Sequence, residues 1–258
     1  MRSNATKLIA ASALFCWAGS TFGTETACSA ASGEFVTPVF ELYTSEGCSS
    51  CPPADRWASS LKGSGAVVQA FHVEYWDYIG WVDRFAAPAH TARQRQIATA
   101  NHLRSIYTPQ VVLNGKDMPN WRSSTPQQAA KQPARLAITV QKQGIDQFKA
   151  RVAVSRSSVG SPAPDALPWS AYWTVTEHDH NSRIKSGENA GEFLQHDFVV
   201  RQYALAGDYA TSGARPQSLT FRTIAATPGQ PRQINLVVFD KKTGETLQAV
   251  SLQCAADS

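Results

Sequence analysis

The chain is 258 residues long and carries 24 basic and 20 acidic side chains, a formal net charge of +4. So mild a balance lacks the clustered Lys/Arg footprint of a nucleic-acid binder, and 43% hydrophobic content is too high for extended disorder. The length suits one large domain or two modest ones.

Residues 1–23 read as a signal peptide. Arg2 and Lys7 give a charged start, and the apolar run 8–18 is too short to cross a hydrocarbon core of ~30 Å. Thr21-Phe22-Gly23 puts small residues where a signal peptidase looks, so cleavage is expected after Gly23. No later segment is apolar enough to span a membrane. The expected location is the periplasm or the cell exterior, where disulfides persist. Cys16 leaves with the peptide, and Cys28, Cys48, Cys51 and Cys254 remain. An even count suits two bridges, with three connectivities open. Cys48–Cys51 is the natural redox pair. Cys28–Cys254 is then expected as a structural bridge between the chain ends, the alternative being free or intermolecular thiols.

The first strand is expected at 38–44. It hands over through Glu46-Gly47-Cys48-Ser49-Ser50-Cys51-Pro52-Pro53 to helix-forming residues 54–62. A helix N-terminus offers unpaired N–H groups and partial positive charge, which favour a thiolate, the attacking species in disulfide exchange. Cys48 is expected as the exposed nucleophile and Cys51 as the more buried resolving thiol. Pro52 and Pro53 fit a first helical turn, where no internal bond is lost. Residues 66–73 read as a strand buried on both faces, completing a βαβ unit. In 72–85, Tyr75, Trp76, Tyr78, Trp81 and Phe85 alternate with Glu74, Asp77, Asp83 and Arg84. Tyr75, Trp76 and Trp81, with Tyr107, are candidate substrate contacts; the competing reading is aromatic packing over a sheet edge. A helix at 87–104 leads to Tyr107-Thr108-Pro109, a strand at 110–113, an Asn114-Gly115 turn and a helix at 125–132.

Beyond Pro133 the pattern changes to short strands, at 135–141, 148–155, 169–177, 197–206, 218–224, 233–239 and 246–252, with an exposed loop at 157–168. Their spacing suggests an antiparallel sandwich. Glu177-His178-Asp179-His180 lacks a third ligand at a telling distance, so strand-end polar residues are the simpler account. Gly187-Glu188-Asn189-Ala190-Gly191 reads as a tight turn.

The cysteine motif at a strand–helix junction, followed by Thr108-Pro109 and a strand ending in Asn-Gly, resembles the thioredoxin superfamily. The run from Glu41 to Asp55, together with His72 to Trp81, Thr91-Ala92-Arg93-Gln94, Tyr107 to Gln110 and Gly187 to Gly191, resembles the DUF1223 family. Those are exported bacterial proteins with a thioredoxin-like region. The resemblance implies an α/β thioredoxin-like domain at 24–133, followed by a mainly antiparallel β-sandwich-like domain at 134–258. It implies a cis Thr108–Pro109 bond facing the cysteines, with the Thr108 backbone pairing to an extended substrate. It also implies that Glu41, an acid on the strand before the motif, moves a proton to or from Cys51; the competing reading is a plain salt bridge or an edge position.

The expected function is exported thiol–disulfide exchange by Cys48 and Cys51, with Thr108, Pro109 and Glu41 assisting. It needs no cofactor and no metal. Expected partners are protein or small-molecule thiols and disulfides, including a redox partner protein; nucleic acid and a membrane span are not expected. Two alternatives stand beside it. One is Cu(I) handling by the cysteines with His72 or His102. The other is a binding module whose bridge is only structural.

Overall fold

The computed structural model describes residues 28–124, 131–155, 167–211 and 215–254. The expected signal peptide, and most of the expected 125–132 helix and 157–168 loop, lie outside these residues.

The chain enters through β1 (Ser29–Ala31) and crosses to β2 (Val39–Thr44), α1 (Pro52–Ser59) and β3 (Val67–His72). Every residue of β2 and β3 is buried, as in strands covered on both faces. A 3-10 helix at Glu74–Ile79 carries the aromatic stretch, and α2 (Pro88–Ala100), β4 (Gln110–Leu113) and β5 (Lys116–Asp117) follow. Next come β6 (Leu136–Gly144), β7 (Gln147–Val154), β8 (Leu167–Glu177), β9 (His180–Arg183) and β10 (Phe193–His196). The last strands are β11 (Val199–Thr211), β12 (Gln217–Arg222), β13 (Arg232–Asp240) and β14 (Thr246–Leu252). In β6 and β7 burial alternates along much of the strand, the mark of a sheet with one face in the core.

The expected architecture, an α/β thioredoxin-like domain followed by a separate β-sandwich-like domain, is corrected. The protein is 45% strand and 15% helix, in large multi-strand sheets. One mixed sheet runs β14-β13-β8-β11-β3-β2-β4-β5, so strands from both halves of the chain lie side by side in it. The seam is β11 against β3. Val199 is paired in parallel with Ala70, and the Ala70 N–H donates to the Phe198 carbonyl at 2.8 Å. Sequence periodicity reports which face of a strand is buried; it does not report which strand lies alongside. The βαβ unit itself forms, with β2 and β3 parallel and β4 antiparallel to β2.

A second sheet, β1-β6-β7-β12, covers one face of the antiparallel strands, burying Ile138, Phe148 and Val152 with Trp169, Trp173 and Leu236. Cys28 and Cys254 are bonded, with Cα atoms 5.6 Å apart, and both pack against this core. Over the βαβ unit, α1 packs on Phe40, Leu42, Val68 and Val111. On the opposite face Ile97 of α2 packs with Tyr43 and Phe71. The β9–β10 hairpin stands apart from both large sheets, and its loop reaches back to the start of α1.

A capped disulfide at the start of α1

Strand β2 ends at Thr44, and the chain turns sharply, the Cys48 N–H donating to the Ser45 carbonyl at 3.1 Å. Cys51 is the N-cap residue of α1, with Pro52 in the first turn. Cys48 and Cys51 are joined as a disulfide. Ser50 Oγ lies 3.4 Å from Cys48 Sγ.

Gly47 has a packing reason. A Cβ there would stand 3.1 Å from Trp76 Cβ and 3.3 Å from the Trp76 carbonyl oxygen. Trp76, seated against the turn, donates its indole N–H to Thr108 Oγ1 at 2.7 Å. The Thr108–Pro109 peptide is cis. Gln110 is paired with Tyr43, so the same register carried one residue further sets Pro109 beside Thr44. Trp76 thus links the Gly47 turn that leads into Cys48 with Thr108, near the C-terminal end of β2.

Cys48 is not exposed, contrary to expectation: it is 1% accessible, and Cys51 is 0%. The cover comes from residues 184–192, the loop between β9 and β10. Asn189 Nδ2 donates to the carbonyls of Glu46 (2.8 Å) and Cys48 (3.1 Å). Glu188 Oε2 accepts from the Ser49 N–H (3.1 Å) and hydroxyl (2.7 Å). Ser186 donates to the Gly80 carbonyl, and Gly187 holds a positive φ of 78° against Trp81 and Ile79. This cap is the part of the site that sequence reasoning missed. The Gly187–Gly191 pattern was visible, but nothing in it told where the turn would dock.

Behind the motif lies a buried polar group built on His72, the histidine that ends β3. His72 Nδ1 donates to Asp83 Oδ2 at 2.6 Å, and the same oxygen accepts the Glu46 N–H at 2.9 Å. Burial works to raise the Asp83 pKa, but the His72 charge and hydrogen bonds win and hold it at about 2. Burial likewise opposes His72 protonation, and Asp83 overcomes it, raising the His72 pKa. Trp81 Nε1 donates to Glu46 Oε2 at 2.7 Å, and His196 Nε2 is 3.2 Å from Glu46 Oε1. Asp55 sits one helical turn after Cys51, its N–H donating to the Cys51 carbonyl at 3.1 Å. Burial raises the Asp55 carboxyl pKa, against the pull of His196, His72 and Thr44.

The remaining candidates separate. Glu41 is corrected as a proton carrier for Cys51. Along β2, Phe40 and Leu42 face α1, so Glu41 and Tyr43 point to the other face. There Arg93 Nη2 (2.8 Å) and Nε (3.3 Å), Tyr172 Oη (2.8 Å) and Tyr43 Oη all donate to the Glu41 carboxylate. Burial opposes its ionisation, yet Arg93 wins and lowers its pKa. Asp55 is the buried carboxyl on the cysteine side. Of the aromatic candidates, Trp76 and Trp81 line the cap and motif. Tyr75 packs toward Tyr43, Phe71 and Ile97, and Tyr107 turns its hydroxyl to Asp117 at 2.9 Å. His180 is held by Glu177 at 2.9 Å and His178 lies 3.6 Å from Asp197, so the two imidazoles serve separate carboxylates. Among the described residues no cluster of three or more His, Cys, Asp or Glu is arranged to hold a metal ion. No described helix is long and apolar enough to cross a membrane.

Fold and site together define a β-rich protein with a mixed eight-stranded sheet and a capped disulfide at a parallel βαβ turn. Two disulfides mark it as a chain suited to an oxidising environment outside the cytosol. The chain belongs to the DUF1223 family, described as a protein of unknown function, whose profile matches residues 39–239. No match to a curated protein was found. The fold is similar to the crystal structure of protein AGR_C_4864 from Agrobacterium tumefaciens. The TM-score is 0.66 at 19% identity, covering 88% of this chain and 98% of that one. It is also similar to HBP35 of Porphyromonas gingivalis, with a TM-score of 0.57 at 14% identity, covering 85% of this chain and 76% of that one.

Proposed function

We propose that this chain is an exported thiol–disulfide oxidoreductase, delivered to the periplasm or cell exterior by residues 1–23 and working through Cys48 and Cys51. The observation that carries the reading is the disulfide itself, closed at the turn into α1, with Trp76 packed on the neighbouring Gly47 and bonded to Thr108. A partner thiolate attacks Cys48 Sγ, the Cys48–Cys51 bond breaks, and a mixed disulfide forms. Cys51 leaves as a thiolate stabilised by the amides of α1 and takes up a proton, with Asp55 the nearby buried acid. A second partner thiolate then displaces Cys48. The partner ends as a disulfide and the protein as a dithiol; the reverse sequence oxidises the protein. Cap residues 184–192 must lift for either direction.

The test is a Cys51→Ala protein expressed with its leader in an exporting host. A mixed disulfide through Cys48 supports the proposal and names the partner. The burial of Cys48 favours a second reading, a non-catalytic module with a structural bridge. That reading predicts no mixed disulfide and a bond that physiological thiols leave closed. Soft-metal handling has less to stand on, because the His72 imidazole is already committed to Asp83.

A further inference from the structure

We propose that Glu188 sets a charge preference at this disulfide, so that thiols carrying positive charge open it faster than anionic ones. The inference rests on the exchange reading above and names its substrate class: a small or protein thiol with an ammonium or guanidinium group near the sulfur.

Ser49 follows Cys48 directly, and both its N–H and its hydroxyl donate to Glu188 Oε2. A surface carboxylate on a flexible stem is usually averaged over many positions, but this one is fixed at two points to the residue that follows Cys48. The Ser49 hydroxyl bond, then the Ser49 backbone bond, lowers its pKa, so it is anionic at neutral pH. The charges around it do not cancel it. Behind the motif, Glu46 and Asp83 are both acids with lowered pKa values, but Glu46 faces His196 and Asp83 is bonded to His72, so the charge exposed at the mouth is that of Glu188 itself. Arg84 is turned away, its guanidinium on the Asn181 carbonyl at 2.8 Å and over the Phe85 ring. Across the cap, Glu188 and Glu192 outnumber Lys185. This acidic mouth belongs to a chain whose formal net charge is +4, so the sign at the site is the reverse of the sign of the whole.

The attacking species is itself an anion, a thiolate. Approaching Cys48 past Glu188, it meets repulsion that a cationic group on the same molecule relieves and a second negative charge compounds. Such fields act on encounter rates and are screened by salt over a Debye length of ~10 Å at 0.1 M ionic strength.

The test uses the full chain in its disulfide form and three small probe thiols: cysteamine (cationic), mercaptoethanol (neutral) and mercaptoethanesulfonate (anionic). In each case two probe molecules are oxidised to their disulfide while Cys48 and Cys51 become thiols, counted by alkylation and mass. Rates are expressed per thiolate. At low salt the cation-to-anion rate ratio is expected to be about tenfold for the native protein. It should fall at least about threefold in Glu188→Gln, invert or fall further in Glu188→Lys, and shrink in molar salt. The mercaptoethanol thiolate carries one negative charge and its rate should lie between the other two; a change common to all three probes reports cap opening, and glutamine keeps an acceptor for Ser49. A ratio that is the same in native protein and Glu188→Gln overturns the inference, including the case where all three rates rise by one factor. Native protein opened equally fast by all three thiols overturns it while leaving the exchange reading intact. A disulfide that none of them opens overturns both.

Discussion

Asn189 and Cys48 lie 141 positions apart in the chain, yet the Asn189 side-chain amide donates to the Cys48 carbonyl at 3.1 Å and to the Glu46 carbonyl at 2.8 Å. A loop from the second half of the molecule thus closes over a disulfide from the first. The site has two parts, a disulfide and the loop that covers it, and each can be disturbed without the other.

Removing the Asn189 amide should loosen the lid. Two hydrogen bonds at about 1 kcal/mol each correspond to a roughly tenfold or greater gain in open population. Asn189→Ala is therefore expected to be reduced by dithiothreitol about tenfold faster than native protein at unchanged thermal stability of the core. An unchanged rate would mean that the lid does not control access.

The Glu41–Arg93 pair joins β2 to α2 at 2.8 Å and, through Tyr172, to β8. Both side chains are nearly inaccessible. Arg93→Leu leaves a buried carboxylate without its counter-charge and should cost about 3–5 kcal/mol in urea unfolding. Adding Glu41→Gln to that variant should recover a good part of the loss. Equal loss in both proteins would show that packing of the Arg93 stem over Tyr172 and Phe239 matters more than charge.

Acid should weaken the fold in two stages. His90 Nδ1 donates to the His72 carbonyl at 2.8 Å, and burial lowers its pKa from 6.5 to about 4. The unfolded chain therefore gains a proton before the folded one, and stability falls as pH drops from 6.5 toward 4, by up to about 3 kcal/mol. Asp83, held at about 2 against an ordinary 3.8, keeps its contribution above 3.8 and loses about 2 kcal/mol as pH falls through 2. Denaturant titrations at stepped pH check both. His90→Gln, which keeps a donor for the His72 carbonyl, should flatten the upper stage and leave the lower one in place.

The Cys28–Cys254 bridge spans 226 residues. Replacing both cysteines by serine should cost about 2–4 kcal/mol under non-reducing conditions. It should leave thiol exchange at Cys48 unchanged, since the bridge packs against the core beneath the β1-β6-β7-β12 sheet. A parallel loss of exchange activity would tie the two disulfides together functionally.

Much of this protein is legible locally. The alternation of Phe148, Ala150 and Val152 corresponds to β7, because a strand with one buried face writes that face into its sequence at every second residue. The Asn114-Gly115 turn and the strand Gln110–Leu113 are equally local. The pairing of Cys28 with Cys254 was reachable by counting. By contrast β9 and β10 are short, and their buried positions include His180, Ser182 and His196, so no apolar rhythm announces them. They deliver the lid all the same.

By itself, the order of residues determined most of the longer strands, where the cysteine motif would meet a helix, and which cysteines would be left to bridge the chain ends. Those properties depend on neighbours a few positions away or on simple parity. Tertiary structure alone decided that β11 would extend the sheet from β3, that Glu41 would face Arg93 rather than Cys51, and that Glu188 and Asn189 would cover the disulfide. Each depends on contacts between residues far apart in sequence. Such contacts are selected by the combined burial of whole faces, which no local stretch encodes.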